Sequence, residues 1–154
     1  MQRPRTQVVV YGLLAIALIL GFVILSKPSA NQCTETYRKD NELKISGQSI
    51  PVQIAKSPLE QSLGLGGRSC IGDRQGMLFV FDKPGYYPFW MKSMKFPIDI
   101  IWIGVDNNVV DFQQNVQPSS YPHTFVNQSP AKKVLEMAAD SAQTLNISTG
   151  THIN

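Results

Sequence analysis

A chain of 154 residues with 14 Lys+Arg, 11 Asp+Glu, 43% apolar and 16% charged residues has room for one domain and no more. The charged share is well below the roughly 25% of ordinary soluble domains, and a net charge of +3 is too small to create a nucleic-acid-binding surface. The apolar content excludes a disordered chain, and two cysteines are too few for a disulfide scaffold.

Residues 8–25 (VVVYGLLAIALILGFVIL) carry no charge. At about 1.5 Å per residue they reach roughly 27 Å as a helix, close to the thickness of a bilayer's hydrocarbon core. Arg3 and Arg5 precede the run and only Lys27 follows closely, so the positive-inside bias predicts a cytoplasmic stub over 1–7 and an extracytoplasmic remainder. A cleaved signal peptide, which would leave a secreted domain, is the alternative. The run is longer than a signal core, however, and Ser26-Lys27-Pro28-Ser29-Ala30 is a poor cleavage site, so an uncleaved anchor at 8–25 is expected. Removing Arg3, Arg5 and Lys27 leaves 11 basic and 11 acidic residues over 31–154. A neutral domain predicts no steering toward nucleic acid or acidic lipid.

Residues 26–41 read as a polar tether and 42–154 as a mainly-β (α+β) domain, because short apolar runs alternate there with turn signals. Strands are expected at 43–45 and 50–55, joined through Ser46-Gly47-Gln48-Ser49. Ser57-Pro58-Leu59-Glu60 supplies an N-cap, a proline at the first helical position and an acid three residues after the cap, so a helix should start there and end at Gly64 or Gly66. The apolar run 77–81 suits a strand buried on both faces, closed by the turn Asp82-Lys83-Pro84-Gly85. Further strands are expected at 89–91, 98–104, 109–116, 134–138 and 151–153, with a patternless loop over 118–130 and a short helix capped by Asp140. Six to eight such strands should close into a small barrel or sandwich, with one or two short helices covering its open ends.

Cys33 and Cys70 both fall on the expected oxidising side of the membrane, where a disulfide is favoured. The alternative is a buried Cys70 beside a free Cys33. Gly64-Leu65-Gly66-Gly67-Arg68-Ser69 lacks the Gly-Lys-Ser/Thr ending of a phosphate loop and follows a helix, so it reads as a helix end and turn. No Gly-x-Ser-x-Gly, His-Glu-x-x-His or metal-spaced His/Cys cluster occurs, and neither a metal nor a cofactor is expected. His123 and His152 read as isolated surface residues.

The most informative segment is Phe89-Trp90-Met91-Lys92-Ser93-Met94-Lys95-Phe96-Pro97-Ile98-Asp99, in which large apolar and cationic side chains alternate. Asp99 heads an apolar strand, and Glu136 interrupts Val134-Leu135-Glu136-Met137. A carboxylate in either place needs a partner, for which Arg68 and Lys92 are candidates. Arg68, Trp90, Lys92, Asp99 and Glu136 are therefore the expected ligand-binding residues. An aromatic face beside charged groups suits an envelope carbohydrate or peptide. Asp99 and Glu136 as a carboxylate pair of an envelope hydrolase is the second reading, and a purely structural salt-bridge network is the third.

Gly64-Leu65-Gly66-Gly67-Arg68, Gly76-Met77-Leu78-Phe79-Val80-Phe81, Phe89-Trp90-Met91-Lys92, Pro97-Ile98-Asp99-Ile100-Ile101 and Val134-Leu135-Glu136 are similar, in order and spacing, to a family of bacterial and archaeal exported domains, domain of unknown function 192. The resemblance covers residues 50–154. It implies a compact, mainly-β fold, often with an N-terminal anchor or signal, and no particular activity. Two places depart from the family pattern. Ala139-Asp140 stands where a glycine usually follows the Val-Leu-Glu segment, and Thr151 where an acid is common after the late glycine.

Overall fold

The computed structural model describes residues 33–154, so the expected stub, the membrane span at 8–25 and the first part of the tether lie outside the described residues. No helix among the described residues is long and apolar enough to cross a membrane. Eight strands and two short helices follow one another as β1 (Asn41–Ile45), β2 (Gln48–Ala55), α1 (Pro58–Leu63), β3 (Gly76–Gly85), β4 (Phe89–Trp90), β5 (Ile98–Ile103), β6 (Val109–Val116), a 3-10 turn (Pro118–Ser120), β7 (Thr124–Phe125), β8 (Ala131–Ala138) and α2 (Ser141–Thr144).

Six strands make one mixed sheet in the order β1-β2-β3-β8-β5-β6, and β4 and β7 make a separate two-stranded ribbon. No ladder joins β1 to β6 among the described residues, so the expected closed barrel is corrected to an open sheet. The expected final strand at 151–153 is reduced to isolated bridges, Ile153 to Ile45 and His152 to Asn108, which tie the chain end to the two edges of the sheet, at β1 and at the start of β6. Two bridges cannot continue a ladder along strands of five and eight residues.

The β1–β2 turn is tighter than expected. Ser46 and Gly47 both take positive φ, 48° and 77°, the two-residue geometry that matches strand twist. The expected turn at 82–85 is instead the end of β3, whose pairing to β8 breaks after Val80 and resumes at Gly85. An irregularity of that kind is where a proline such as Pro84 can be accommodated in a strand. The long loop over 118–130 contains β7, which pairs Phe125 with Phe89 and Thr124 with Trp90.

Both sheet faces are covered. Leu78, Leu135, Met137, Ile101 and Ile103 point to one side, beneath Ala142, Leu145 and Ile147. Met77, Phe79, Val134, Ile100 and Trp102 point to the other, beneath Leu65, Ile71 and Met91. All six residues of β5 are consequently buried. β2 and β3 are parallel neighbours, and parallel strands need a long crossover. Here the crossover carries α1 and the glycine-rich segment across the second face.

Cys33 and Cys70 form a disulfide, with Cα atoms 5.6 Å apart, that fastens the segment before β1 to this crossover. Closing a loop with a sequence separation of 37 contributes on the order of 4 kcal/mol in the chain-entropy model. Residues 33–40, expected to be tether, are held further by Tyr37, whose hydroxyl lies 2.7 Å from Pro51 O and 2.8 Å from Gly76 O.

Candidate functional site

Helix α1 forms where its local signals place it. Glu60 N–H donates to Ser57 Oγ at 3.2 Å, and Glu60 Oε2 accepts from Ser57 N–H at 2.9 Å, a reciprocal cap. Gly64 ends the helix at φ 55° and ψ −132°, a conformation that disfavours any side chain. A methyl group there would also stand 2.9 Å from Glu136 Oε2 and 3.3 Å from Phe79 Cζ. The missing side chain lets the chain pass directly over Glu136.

Strand register puts Gln53, Met77, Glu136 and Ile100 in one row across β2, β3, β8 and β5. Glu136 is only 4% exposed. Its Oε2 accepts a hydrogen bond from Leu65 N–H at 3.1 Å, which is the only bond to this carboxyl among the described residues. Burial pushes the carboxyl up to about 7, against the smaller opposing effects of the Leu65 N–H and the Arg68 charge. One carboxylate oxygen thus has no protein donor, and Glu136 lines a cleft.

That cleft has a volume of about 140 Å³, and its walls are Phe79, Phe81, Tyr87, Phe89 and Trp90, with Leu63 at the helix end. The rings brace one another. Phe81 stacks on Tyr87 at 3.6 Å, and Phe89 meets Phe79 edge to face at 4.9 Å and Trp102 at 6.1 Å. Trp102 is fixed in turn by its indole N–H, which donates to Tyr87 O at 3.0 Å. Buried Asn127 accepts from Tyr87 N–H and donates to Gly85 O, holding the 85–87 turn. Trp90 remains 48% exposed at the rim.

Of the five residues expected to bind a ligand, the structure therefore brings Glu136 and Trp90 to one cleft. Arg68 lies in the adjoining depression with Gln53, Arg38 and Glu60, separated from the cleft by Gly64, and its guanidinium donates to Gln53 Oε1 at 2.5 Å. Lys92 is exposed and pairs with no carboxylate among the described residues. Its contribution to this region is backbone: a methyl on Gly66 would lie 3.1 Å from Lys92 O, and Gly67 N–H donates to Ser93 O.

Asp99 does not join them. It pairs with Met137 while Glu136 pairs with Ile100, so the two carboxylates point to opposite faces of the sheet. Asp99 is fully buried, and its partners are not the expected Arg68 or Lys92. Its Oδ1 accepts from Asn115 N–H at 2.8 Å and its Oδ2 from Ala142 N–H at 2.7 Å. Burial raises its pKa, with the backbone donors opposing. Asp99 thereby caps α2, a task expected of Asp140. Asp140 occupies the cap position at φ 66°, but its side chain makes no capping bond. This left-handed residue stands where the resemblance leads one to expect glycine, which tolerates that conformation best.

Of the aromatic walls only Trp90 is in the sequence expectation; Phe79, Phe81, Tyr87 and Phe89 are missing from it. Their signal was density, with six aromatic residues between 79 and 90. No group of three or more metal-ligating residues occurs among the described residues.

The model of the family DUF192, described as "Uncharacterized ACR", matches residues 41–154. A solved structure of a protein of unknown function from Novosphingobium aromaticivorans DSM 12444 is 26% identical, with a TM-score of 0.70 over 84% of this chain and 98% of that one. Another, from Sinorhizobium meliloti 1021, is described as a "putative transcription regulator" and is 26% identical, with a TM-score of 0.67 over 73% of this chain and 89% of that one. No curated protein matches the chain.

Proposed function

The chain belongs to the DUF192 family, whose description names no activity, and from its own residues we propose a membrane-anchored, extracytoplasmic binding module. The cleft at Glu136 and Trp90 is its site, and the ligand is part of an envelope carbohydrate or peptide. The observation that carries this reading is a buried carboxyl with one hydrogen bond at the end of a braced aromatic cleft. Its second oxygen is reached from the open cleft and not from the protein, so a donor from outside can bond it, which supports a ligand there. The apolar run at 8–25 and its flanking charges support the anchor and the orientation.

A hydrolase using Asp99 with Glu136 is not favoured, because carboxylates on opposite faces of a sheet cannot flank one scissile bond. A role on nucleic acid, suggested by the Sinorhizobium protein's description, finds no net positive charge to rest on, with 11 basic and 11 acidic residues in 31–154. The test is a binding survey of the full-length chain in micelles with muropeptide and glycan fragments. A ligand should be found whose affinity falls about tenfold or more in Trp90→Ala. A ligand held equally by the parent and a folded Trp90→Ala chain would remove the cleft as the site.

A further inference from the structure

The cleft's size, charge and walls restrict what can enter it. Its volume of about 140 Å³ is close to the roughly 150 Å³ of an apolar cavity known to admit benzene, so about six non-hydrogen atoms fit. A complete hexose has about twice that number and could present only one edge. No Lys or Arg lines the cleft, and the nearest guanidinium, that of Arg68, is bound to Gln53 next door. An anionic group would meet the Glu136 carboxyl with no cation to offset it. A divalent metal would find a single carboxylate where it needs several oxygen ligands.

We propose that the cleft takes a primary alkylammonium group of the kind a lysine-like side chain carries, its nitrogen against the free oxygen of Glu136 and its stem along the aromatic walls. This rests on the binding reading above and names the chemistry of that ligand. An ammonium supplies the donor that Glu136 lacks, in a charge-assisted bond that burial strengthens. Aromatic side chains lining the cleft favour a cation close to them, and their apolar surface suits a four-carbon stem. The braced rings need little reordering on binding, which preserves affinity for a small ligand. Because the carboxyl sits up near 7, an arriving cation draws it into its ionised form and releases a proton. Among the described residues the charged or titratable groups around it are Arg68, the Arg38–Glu60 ion pair of the adjoining depression, and Tyr87 in the cleft wall, whose hydroxyl is committed to Lys83 O.

The experiment follows the Trp90 indole N–H and the Leu65 amide by NMR in the full-length chain in zwitterionic micelles. The probes are n-butylammonium, Nα-acetyl-lysine methylamide, glucosamine and 1-butanol. n-Butylammonium and the lysine derivative should each shift both signals saturably, and 1-butanol should bind about tenfold more weakly or worse. Lowering the pH from 8 to 5.5 should weaken the ammonium probes by about tenfold or more, as protons compete for the carboxyl. Glu136→Gln should abolish both the ammonium preference and its pH dependence. If 1-butanol matches n-butylammonium, or Glu136→Gln keeps the preference, the ammonium assignment is wrong while the cleft remains a binding site. Tighter binding of glucosamine than of the lysine derivative would overturn the side-chain form of the proposal. No shift with any probe would overturn the assignment and the cleft together.

Discussion

The two faces of the sheet each bury one carboxylate, and they treat it differently. Asp99 has a backbone N–H on each oxygen and closes a helix and a strand end around itself. Glu136 has one N–H, a cleft beside it and a glycine held open above it. A buried acid supplied with two donors works as a bracket. One left short of donors remains available to something from outside. The contrast lies in the number of donors, since both groups are almost wholly buried.

Removing the bracket should be the most damaging change. Asp99→Ala takes the acceptor from the buried Ala142 N–H and the part-buried Asn115 N–H, and at about 1.5–3 kcal/mol for each bond to a charged group it should lower stability by about 4 kcal/mol in urea unfolding. A loss below about 1 kcal/mol would show that Asp99 does not brace this face. Glu136 should respond to pH with the opposite sign from an ordinary paired acid. Its carboxyl is raised from 4.5 to about 7 in the fold, so the stability it contributes is complete below about 4.5 and lost as pH rises through about 7. At about 1.4 kcal/mol per pH unit the loss is on the order of 3–3.5 kcal/mol. Glu136→Gln, whose amide oxygen still accepts from Leu65, should flatten that profile between pH 5 and 9 and be the more stable chain at pH 9. Parallel profiles for the two chains would mean that Glu136 is better satisfied than its geometry indicates. The smallest effect is expected at Asp140, where glycine relieves a left-handed backbone and removes a negative charge near Asp99. Asp140→Gly should gain about 0.5 kcal/mol, read as a higher urea midpoint at unchanged slope.

Local features were legible without the fold. The Ser57–Glu60 cap and the strand at 109–116 depend on residues a few positions apart, and the structure realises both; of the run 77–81, expected to be buried on both faces, only Met77, Leu78 and Phe79 are buried, because Val80 is exposed where the pairing of β3 to β8 breaks. Cys33 and Cys70 had only each other to pair with. Asp99 and Glu136 stood out correctly as acids in apolar strands, but the partners expected for Asp99 were side chains, and those found are backbone groups from segments 16 and 43 residues away. Strand β7 has two residues, too few to leave a periodic signal. Barrel closure depends on whether β1 and β6 meet, which no local pattern encodes.

By itself the sequence determined the mainly-β domain, its neutral charge, the helix start, the available disulfide and the two unusual acids, because composition, caps and alternation are short-range properties. Only the tertiary structure decided that those acids serve different faces. The parity of Asp99 and Glu136 follows from the β5–β8 register, where Ile100 meets Glu136 across the sheet. A slip of one residue would exchange one strand's faces and bring the two carboxylates to the same side. That register is selected by packing on both faces at once, among residues far apart in the chain. The aromatic cleft has the same origin, since its walls come from β3, the 86–90 segment and the end of α1.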